Sequence, residues 1–231
     1  MPQPQPKPFE LDSSGEHDHA HAELPPRPRR NSLTRRLADW REDFMVRHAL
    51  RIAGEPNLVL DLPCGSGRFW PTLTRHPNRL VLAADDPPPR FDCPHANRPV
   101  EIVERICEVH TPAFAIDLGE NAVDAIFCMR FLHRLDGADR RLEILREFHR
   151  ITRDTLIASL WVDGNYQAWR RKRMEQRRNP NGLGGRRPGR FVVPRAQIER
   201  EFHSVGFDIL SHLDLLPGFA MWRVYVLRKT S

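Results

Sequence analysis

Short apolar runs alternate with amphipathic helical stretches along most of this 231-residue chain. Five runs have the length of buried strands, at residues 58–62, 80–85, 100–104, 122–128 and 156–162. Between the last two runs, apolar residues recur at the three-to-four-residue spacing of a helix with one apolar face: Leu142, Leu145, Phe148 and Ile151. Because strands that alternate with helices pair in parallel, this pattern predicts a parallel sheet covered by helices.

The C-terminal end of the chain has a different pattern. A helix is expected over residues 196–205, followed by strands at 207–215 and 220–227. The four residues between these strands are too few for a crossover helix, so the two strands should be antiparallel neighbours. The predicted fold class is therefore α/β, with a doubly wound, mostly parallel seven-stranded sheet that ends in an antiparallel hairpin.

The first thirty residues lack this alternation. They contain seven prolines and few apolar residues, which is typical of a disordered tail, so we expect a tail at 1–30 and one folded domain at 31–231. The tail also contains three alternating histidines: His17, His19 and His21. A solvated stretch explains them better than a metal site, and no metal is expected. In the first helix of the domain, one apolar face is expected to pack: Leu37, Trp40, Phe44 and His48.

Composition fits a cytoplasmic protein. Hydrophobic residues make up 40% of the chain and charged residues 29%, which allows a sizeable core and a polar surface. No apolar run approaches the roughly 20 residues that cross a bilayer, and the N-terminus has no apolar signal core. The four cysteines should therefore be reduced, and because they form no C-x-x-C pair, a structural zinc site is not expected.

The net charge of +6 is concentrated in one segment. Residues 170–195 hold ten Lys or Arg residues and one acid, Glu175, so this segment carries +9 and the remainder of the chain −3. A mildly acidic body with one basic segment favours a local anionic partner over a surface that coats nucleic acid.

A glycine turn follows the first predicted strand, in the run Asp61-Leu62-Pro63-Cys64-Gly65-Ser66-Gly67. Gly65 and Gly67 lack Cβ atoms, so a ligand can approach the backbone closely, and the helix beyond presents free N–H groups. Asp61 ends its strand where ligands bind in open α/β sheets, and its carboxylate suits an ammonium group. Asp85 ends the second strand, where an acid can accept hydrogen bonds from a ribose diol.

Three classes of nucleotide-binding protein use similar loops. Dinucleotide-binding proteins carry G-x-G-x-x-G, but Trp70 holds the place of the third glycine. P-loop proteins follow the last glycine with Lys and then Ser or Thr, whereas Gly67 is followed by Arg68 and Phe69. The pattern acid-x-x-x-Gly-x-Gly remains, and a tight strand-to-helix turn without a ligand is the alternative.

This pattern resembles motif I of the class I S-adenosylmethionine-dependent methyltransferases. Three further segments are similar to the ubiquinone-biosynthesis-type (methyltransferase type 11) branch of that family: residues 121–135 around the fourth strand, the helix at 141–151, and 198–207, where a helix ends in Gly-Phe. The resemblance covers roughly residues 57–229. It implies a Rossmann-like methyltransferase fold, S-adenosylmethionine as the cofactor, and methyl transfer as the reaction.

The resemblance also implies roles for residues. The loop would border the methionine part of the cofactor through Asp61, Pro63, Cys64, Gly65, Ser66 and Gly67. Asp85 would hold the ribose, and Cys128 and Met129 would lie beside the sulfonium. Two departures are visible: Pro63 replaces the first glycine of the family, and the acid that usually follows strand three has no match in residues 104–107.

The acceptor is less well defined by the sequence. Methyl transfer depends on positioning, and a base is needed only when the acceptor must lose a proton. His133, just after the fourth strand, is the candidate base, with a packing role as the alternative. A basic insert at 166–195 should lie over the carboxyl edge of the sheet, with candidate acceptor-binding residues Tyr166, Arg186, Arg187 and Arg190.

We therefore expect an anionic small molecule, lipid or glycan as the acceptor. A nucleic acid fits less well, because no known RNA-binding module accompanies the domain. The alternative from another class is a cofactor-binding but catalytically silent regulatory protein, which would use residues 170–195 to hold a macromolecule such as RNA.

Overall fold

The structure is a computed structural model that describes residues 32–85, 98–178 and 189–230. Its strands are β1 Leu58–Asp61, β2 Leu80–Asp85, β3 Ile106–His110, β4 Val123–Cys128, β5 Thr152–Val162, β6 Val192–Val193, β7 Phe207–Asp214 and β8 Trp222–Lys229. Its helices are α1 Ser32–Ile52, α2 Trp70–Leu73, α3 Val100–Val103, α4 Ala138–Ile151, α5 Tyr166–Arg178 and α6 Arg195–Ser204, with a 3₁₀ turn at Leu132–Arg134. The predicted tail at 1–30 lies outside the described residues.

The strands form one sheet in the order β3-β2-β1-β4-β5-β8-β7, and the two-residue β6 pairs with β5 beside this path. Strands β1 to β5 are parallel, whereas β8 is antiparallel to both β5 and β7. The predicted α/β fold class is confirmed. Chain order reverses at β1, which lies between β2 and β4, and a crevice opens at such a point beyond the carboxyl ends of the strands.

Each face of the sheet has its own core. Helices α4 and α6 cover one face, where Ile144, Leu145, Phe148, Ile198 and Phe202 are buried. Helices α1 and α2 cover the other face, where the buried residues include Met45, Val46, Leu50, Trp70 and Leu73. The helical stripe predicted between the fourth and fifth strands therefore packs as expected.

One predicted strand is wrong. Residues Val100–Val103 form the short helix α3 directly after Pro99, and the third strand lies six residues later, at Ile106–His110. The run Val-Glu-Ile-Val has the composition of a strand. The Pro99 carbonyl, however, accepts hydrogen bonds from the Ile102 and Val103 N–H groups at 3.0 and 3.3 Å, which closes a helical turn.

The packing face predicted for the first helix is also wrong. Leu37, Trp40 and Phe44 are 64%, 57% and 42% exposed, and His48 is exposed as well. The face of α1 that meets the sheet carries Met45, Val46, Ala49 and Leu50 instead. Two apolar sets share this helix, and the sheet covers the one nearer its C-terminus.

None of the helices in the described ranges is long and apolar enough to cross a membrane.

A buried ion pair joins α4 to α6. The Arg141 guanidinium donates to both carboxylate oxygens of Glu201, at 2.8 and 2.7 Å, and both side chains are less than a tenth exposed. Glu201→Ala should lower the free energy of unfolding by about 3–5 kcal/mol, because it leaves a buried guanidinium unpaired. Denaturation in urea measures this value. Asp154→Ala is the matched control: Asp154 pairs with Arg228 at the surface, so we expect less than about 1 kcal/mol, and equal costs would contradict the assignment.

Candidate functional site

The loop after β1 is tied to the end of β2 by two hydrogen bonds. The Cys64 N–H donates to the Ala84 carbonyl, and the Gly65 N–H donates to a carboxylate oxygen of Asp85, both at 2.9 Å. Asp85 is half-buried at the carboxyl end of β2. The structure therefore brings the glycine loop and Asp85 together, as the sequence predicted, and the link between them is direct.

Asp61 lies beneath this loop rather than open to the crevice. It is 2% exposed, and the Trp70 indole N–H donates to its carboxylate at 3.2 Å. Burial raises the pKa of Asp61 well above its ordinary value; the Trp70 hydrogen bond opposes this shift, and the nearby Asp85 carboxylate adds to it. A cation placed beside Asp61 would favour its ionised form.

The two glycines of the loop differ in the space around them. Both have left-handed backbones, with φ of +52° at Gly65 and +65° at Gly67. An added Cβ on Gly65 would meet nothing within 4 Å, whereas one on Gly67 would lie 2.5 Å from Cδ2 of the Trp70 ring. The space beside Gly67, which the sequence had left for a ligand, is therefore filled by Trp70, and close backbone approach remains available at Gly65.

The remaining predicted cofactor residues belong to the loop or to the end of β4, the strand beside β1. Pro63, half-buried after a cis peptide bond, and the exposed Ser66 belong to the loop. Cys128 and Met129 are buried at the end of β4, which pairs with β1. Burial raises the pKa of the Cys64 and Cys128 thiols, with a further contribution from the Asp61 carboxylate, so both stay protonated.

Because the third strand lies later in the chain than predicted, the segment that follows it also lies later. Residues 104–107, which were predicted to follow the third strand and to contain the acid of the family, precede or begin β3. The segment after β3 starts at Thr111, whose side-chain oxygen accepts a hydrogen bond from the Asp117 N–H at 2.7 Å. No carboxylate occurs in this segment before Asp117, so the departure from the family pattern persists at the corrected position.

Three residues that no sequence pattern marked connect the elements around the crevice: Glu42, Arg98 and Arg130. Glu42 of α1 is buried; both its carboxylate oxygens accept from Arg130, just after β4, and it pairs with Arg68 of the loop at 2.6 Å. Arg98 donates to the Ser66 carbonyl at 2.8 Å and stacks over the Trp70 ring. No local pattern marks these residues, because each partner is distant in sequence.

An aromatic cluster lies beside this crevice, at the carboxyl end of β5. The rings of Trp161 and Trp222 belong to paired positions of β5 and β8. His133 stacks on Trp161 with 4.9 Å between ring centroids and meets Trp222 edge-on at 5.7 Å. Neighbouring strands are about 5 Å apart, so β5 lies roughly 10 Å from β1 along the sheet, close enough for ligands of the two sites to meet.

Three guanidiniums surround this cluster. Arg130 lies 5.4 Å from the Trp222 ring centroid, and Arg171 and Arg190 lie 5.2 and 5.7 Å from that of Trp161. Arg171 also donates to the Arg190 carbonyl at 2.8 Å, which ties the end of the basic insert to α5. The cluster therefore combines aromatic rings with three guanidiniums, of which Arg130 pairs with Glu42 and Arg171 with Glu175.

His133 itself is 2% exposed, and its Nδ1 has no hydrogen-bond partner among the described residues. Burial, together with the smaller effects of the neighbouring Arg134, Arg190, Arg130 and Arg171, lowers the pKa of His133 to about 3. The imidazole is therefore neutral near pH 7 and a weak proton acceptor.

The other predicted acceptor residues are not all brought together. Arg190 lies over Trp161, as described above. Tyr166 instead stacks on Phe219 at 5.4 Å, on the outer side of α5, and is 47% exposed. Arg186 and Arg187 lie outside the described residues. In the part of the chain that is described, no group of His, Cys, Asp and Glu side chains could hold a metal ion.

Residues 60–155 match the family model of the methyltransferase domain. No curated protein matches the chain by sequence.

Solved structures show the same fold. The magnesium protoporphyrin IX methyltransferase of Synechocystis, determined with S-adenosylhomocysteine bound, is 13% identical, with a TM-score of 0.62 over 94% of this chain and 95% of that one. The cyclase SpnF is 14% identical, with a TM-score of 0.60 over 81% and 80% of the two chains. Human N-acetylserotonin methyltransferase, in complex with S-adenosylmethionine, is 16% identical, with a TM-score of 0.55 over 83% and 52%. At these identities the likeness concerns the fold.

The two loop glycines generate a prediction about stability. Gly65→Ala and Gly67→Ala both place a side chain in the left-handed region, at a shared cost of about 1–2 kcal/mol. Gly67→Ala also drives a methyl group into the Trp70 ring and should cost about 1–3 kcal/mol more. Urea unfolding without ligand measures both values. Equal losses of stability in the two variants would show that Trp70 does not fill the space beside Gly67.

Proposed function

We propose that this chain is a class I S-adenosylmethionine-dependent methyltransferase and that it methylates an acceptor that carries negative charge: a small molecule, a lipid or a glycan. The observation that carries the proposal is the convergence of Arg130, Arg171 and Arg190 on the paired rings of Trp161 and Trp222. These groups suit a flat anionic ligand, because guanidiniums grip carboxylates and phosphates and indole faces pack against apolar rings or chains.

The residues proposed to hold S-adenosylmethionine line the crevice between β1, β2 and β4. Gly65 leaves open space for close approach, and Asp85 is placed to accept from a ribose diol while it holds the Gly65 N–H. Asp61 lies beneath the loop, where a cationic ligand would relieve the cost of burying its carboxylate. Cys128 and Met129 close the crevice on the β4 side.

Methyl transfer requires mainly that the protein position the donor and the acceptor. Bound S-adenosylmethionine supplies a methyl group on a sulfonium sulfur that leaves as a neutral thioether when an acceptor lone pair attacks the carbon. Holding two reactants in line contributes up to roughly 7–11 kcal/mol in well-oriented systems. The β1 loop would position the donor, and the Trp161–Trp222 cluster would position the acceptor two strands away.

The arginines would also replace a catalytic base. Because the pKa of His133 is about 3, it is a poor proton acceptor at neutral pH. Nearby guanidiniums favour the ionised form of an acceptor oxygen, so an acceptor held there needs no separate base. We therefore propose that His133, the candidate base of the sequence analysis, positions the Trp161 and Trp222 rings rather than taking the proton of the acceptor.

Donor binding gives a direct prediction. Asp85→Ala should weaken S-adenosylhomocysteine binding by about 1.5–3 kcal/mol, the cost of losing a hydrogen bond to a charged group. Isothermal titration calorimetry measures the change. Asp208→Ala, which removes an exposed carboxylate on β7, is the matched control and should bind like the native chain. Unchanged affinity of the Asp85 variant would remove this residue from the site.

The acceptor class is tested with a methyl-labelled donor. We expect the native chain to label anionic members of a panel of carboxylates, phenolates and acidic lipids, but not their neutral analogues. Arg190→Gln should raise the KM of the labelled acceptor by roughly tenfold or more if the contact is desolvated, because a charge-assisted contact is worth about 1.5–3 kcal/mol. Its affinity for S-adenosylhomocysteine should be unchanged. Efficient labelling of neutral analogues, or an unaltered KM, would contradict the proposed class.

A further inference from the structure

Helix α5 has an outer face that the acceptor cluster does not use. Three large apolar side chains on this face, Tyr166, Trp169 and Met174, are 47%, 54% and 45% exposed. All three line one groove, so they lie on one side of the helix. Exposed aromatic and aliphatic side chains grouped in this way mark an interaction site more often than chance placement does.

Arginines are interleaved with these apolar residues. Arg170, Arg173 and Arg177 occupy the same face, and the Arg173 guanidinium lies 5.3 Å from the Trp169 ring centroid. Together with Tyr166, Trp169 and Met174 they line an open groove of about 460 Å³. No acidic residue of the described chain lines this groove, so its charge is complementary to an anionic partner.

The opposite side of α5 faces the aromatic cluster. Ala168 is buried there, and Arg171 lies over Trp161. The basic helix therefore separates its charges: Arg171 belongs to the proposed acceptor site, whereas Arg170, Arg173 and Arg177 face outward.

The apolar surface continues beyond α5. Phe219, in the loop between β7 and β8, stacks on Tyr166 at 5.4 Å and is 46% exposed; Leu216 of the same loop is 52% exposed. Helix α1 meets this loop where Arg41 donates to the Leu215 carbonyl at 3.2 Å. The exposed Leu37 and Trp40 of α1 thus lie on an element joined to the same loop at the carboxyl edge of the sheet.

We propose that the outer face of α5, together with Leu216 and Phe219, docks on the surface of an anionic lipid bilayer. Trp and Tyr side chains suit the boundary between head groups and acyl chains, and arginines beside them bind anionic head groups while their stems lie along apolar surface. Met174 and Leu216 distinguish this partner from single-stranded nucleic acid, because aliphatic side chains insert among acyl chains but offer no ring on which a base can stack.

Vesicle flotation of the full chain without added ligand tests the proposal. The native chain should float with vesicles of phosphatidylcholine and phosphatidylglycerol, bind poorly to phosphatidylcholine alone, and dissociate as salt is raised. Neutralising Arg170, Arg173 and Arg177 to Gln together should weaken binding by about fivefold for each arginine. Trp169→Ser should weaken it at every salt concentration, since its contribution is apolar.

Two matched controls separate this surface from general effects of charge and hydrophobicity. Neutralising Arg75, Arg146 and Arg200, three exposed arginines on other elements, removes the same charge and should leave flotation nearly unchanged. Leu210→Ser removes an exposed leucine from β7 and should also leave flotation nearly unchanged. Calorimetry with S-adenosylhomocysteine on each variant reports donor binding separately, so failure of the docking surface and failure of the proposed function are distinguishable.

Two results would overturn the proposal. One is that the native chain, mixed with anionic vesicles at low salt, remains in the fraction that does not float. The other is that the native chain binds a labelled single-stranded RNA but not the vesicles, and that neutralising Arg170, Arg173 and Arg177 abolishes the RNA binding.

Discussion

One buried contact, between the Trp70 indole and the Asp61 carboxylate, sets the shape of the loop on which the site depends. A carboxylate that is almost fully removed from water needs a hydrogen-bond donor, and Trp70 supplies it from the first turn of α2. To reach Asp61 the indole must lie against Gly67, so this position admits no side chain. Gly65 is left as the point where the backbone is open, directly beside Asp85. The crevice is thus shaped by the requirement to satisfy one buried carboxyl group.

The surrounding elements stabilise this arrangement from several sides. Helix α1 covers Trp70, and Glu42 of that helix links Arg68 of the loop to Arg130 after β4. Arg130 has a left-handed backbone, with φ of +61°, and its N–H donates to the Ser159 hydroxyl at 2.9 Å. Its guanidinium in turn lies against Trp222 of the aromatic cluster. A continuous set of contacts therefore joins the proposed donor crevice to the proposed acceptor cluster, and the first helix belongs to both.

The sequence was sufficient for features that depend on local patterns. Apolar runs and the short connection between β7 and β8 predicted the parallel sheet and its antiparallel end, and the strand-end positions of the glycine loop and Asp85 predicted that they lie together. It was insufficient where two local patterns compete: the run at 100–103 suits a strand as well as a helix, and α1 carries two apolar faces of which tertiary packing selects one. The contacts of Trp70, Glu42 and Arg98 join residues that no periodicity connects, so only the folded chain reveals them.

The proposed site of the methyl donor is the crevice between the β1 loop, Asp85 and the end of β4. Hydrogen–deuterium exchange with and without S-adenosylhomocysteine tests it most directly, because it reports where the ligand orders the backbone. We expect slower exchange in peptides that cover residues 61–70, 84–85 and 127–131, and no change across Phe207–Asp214 on the far edge of the sheet. Protection confined to α5, or none at all at saturating ligand, would contradict the account.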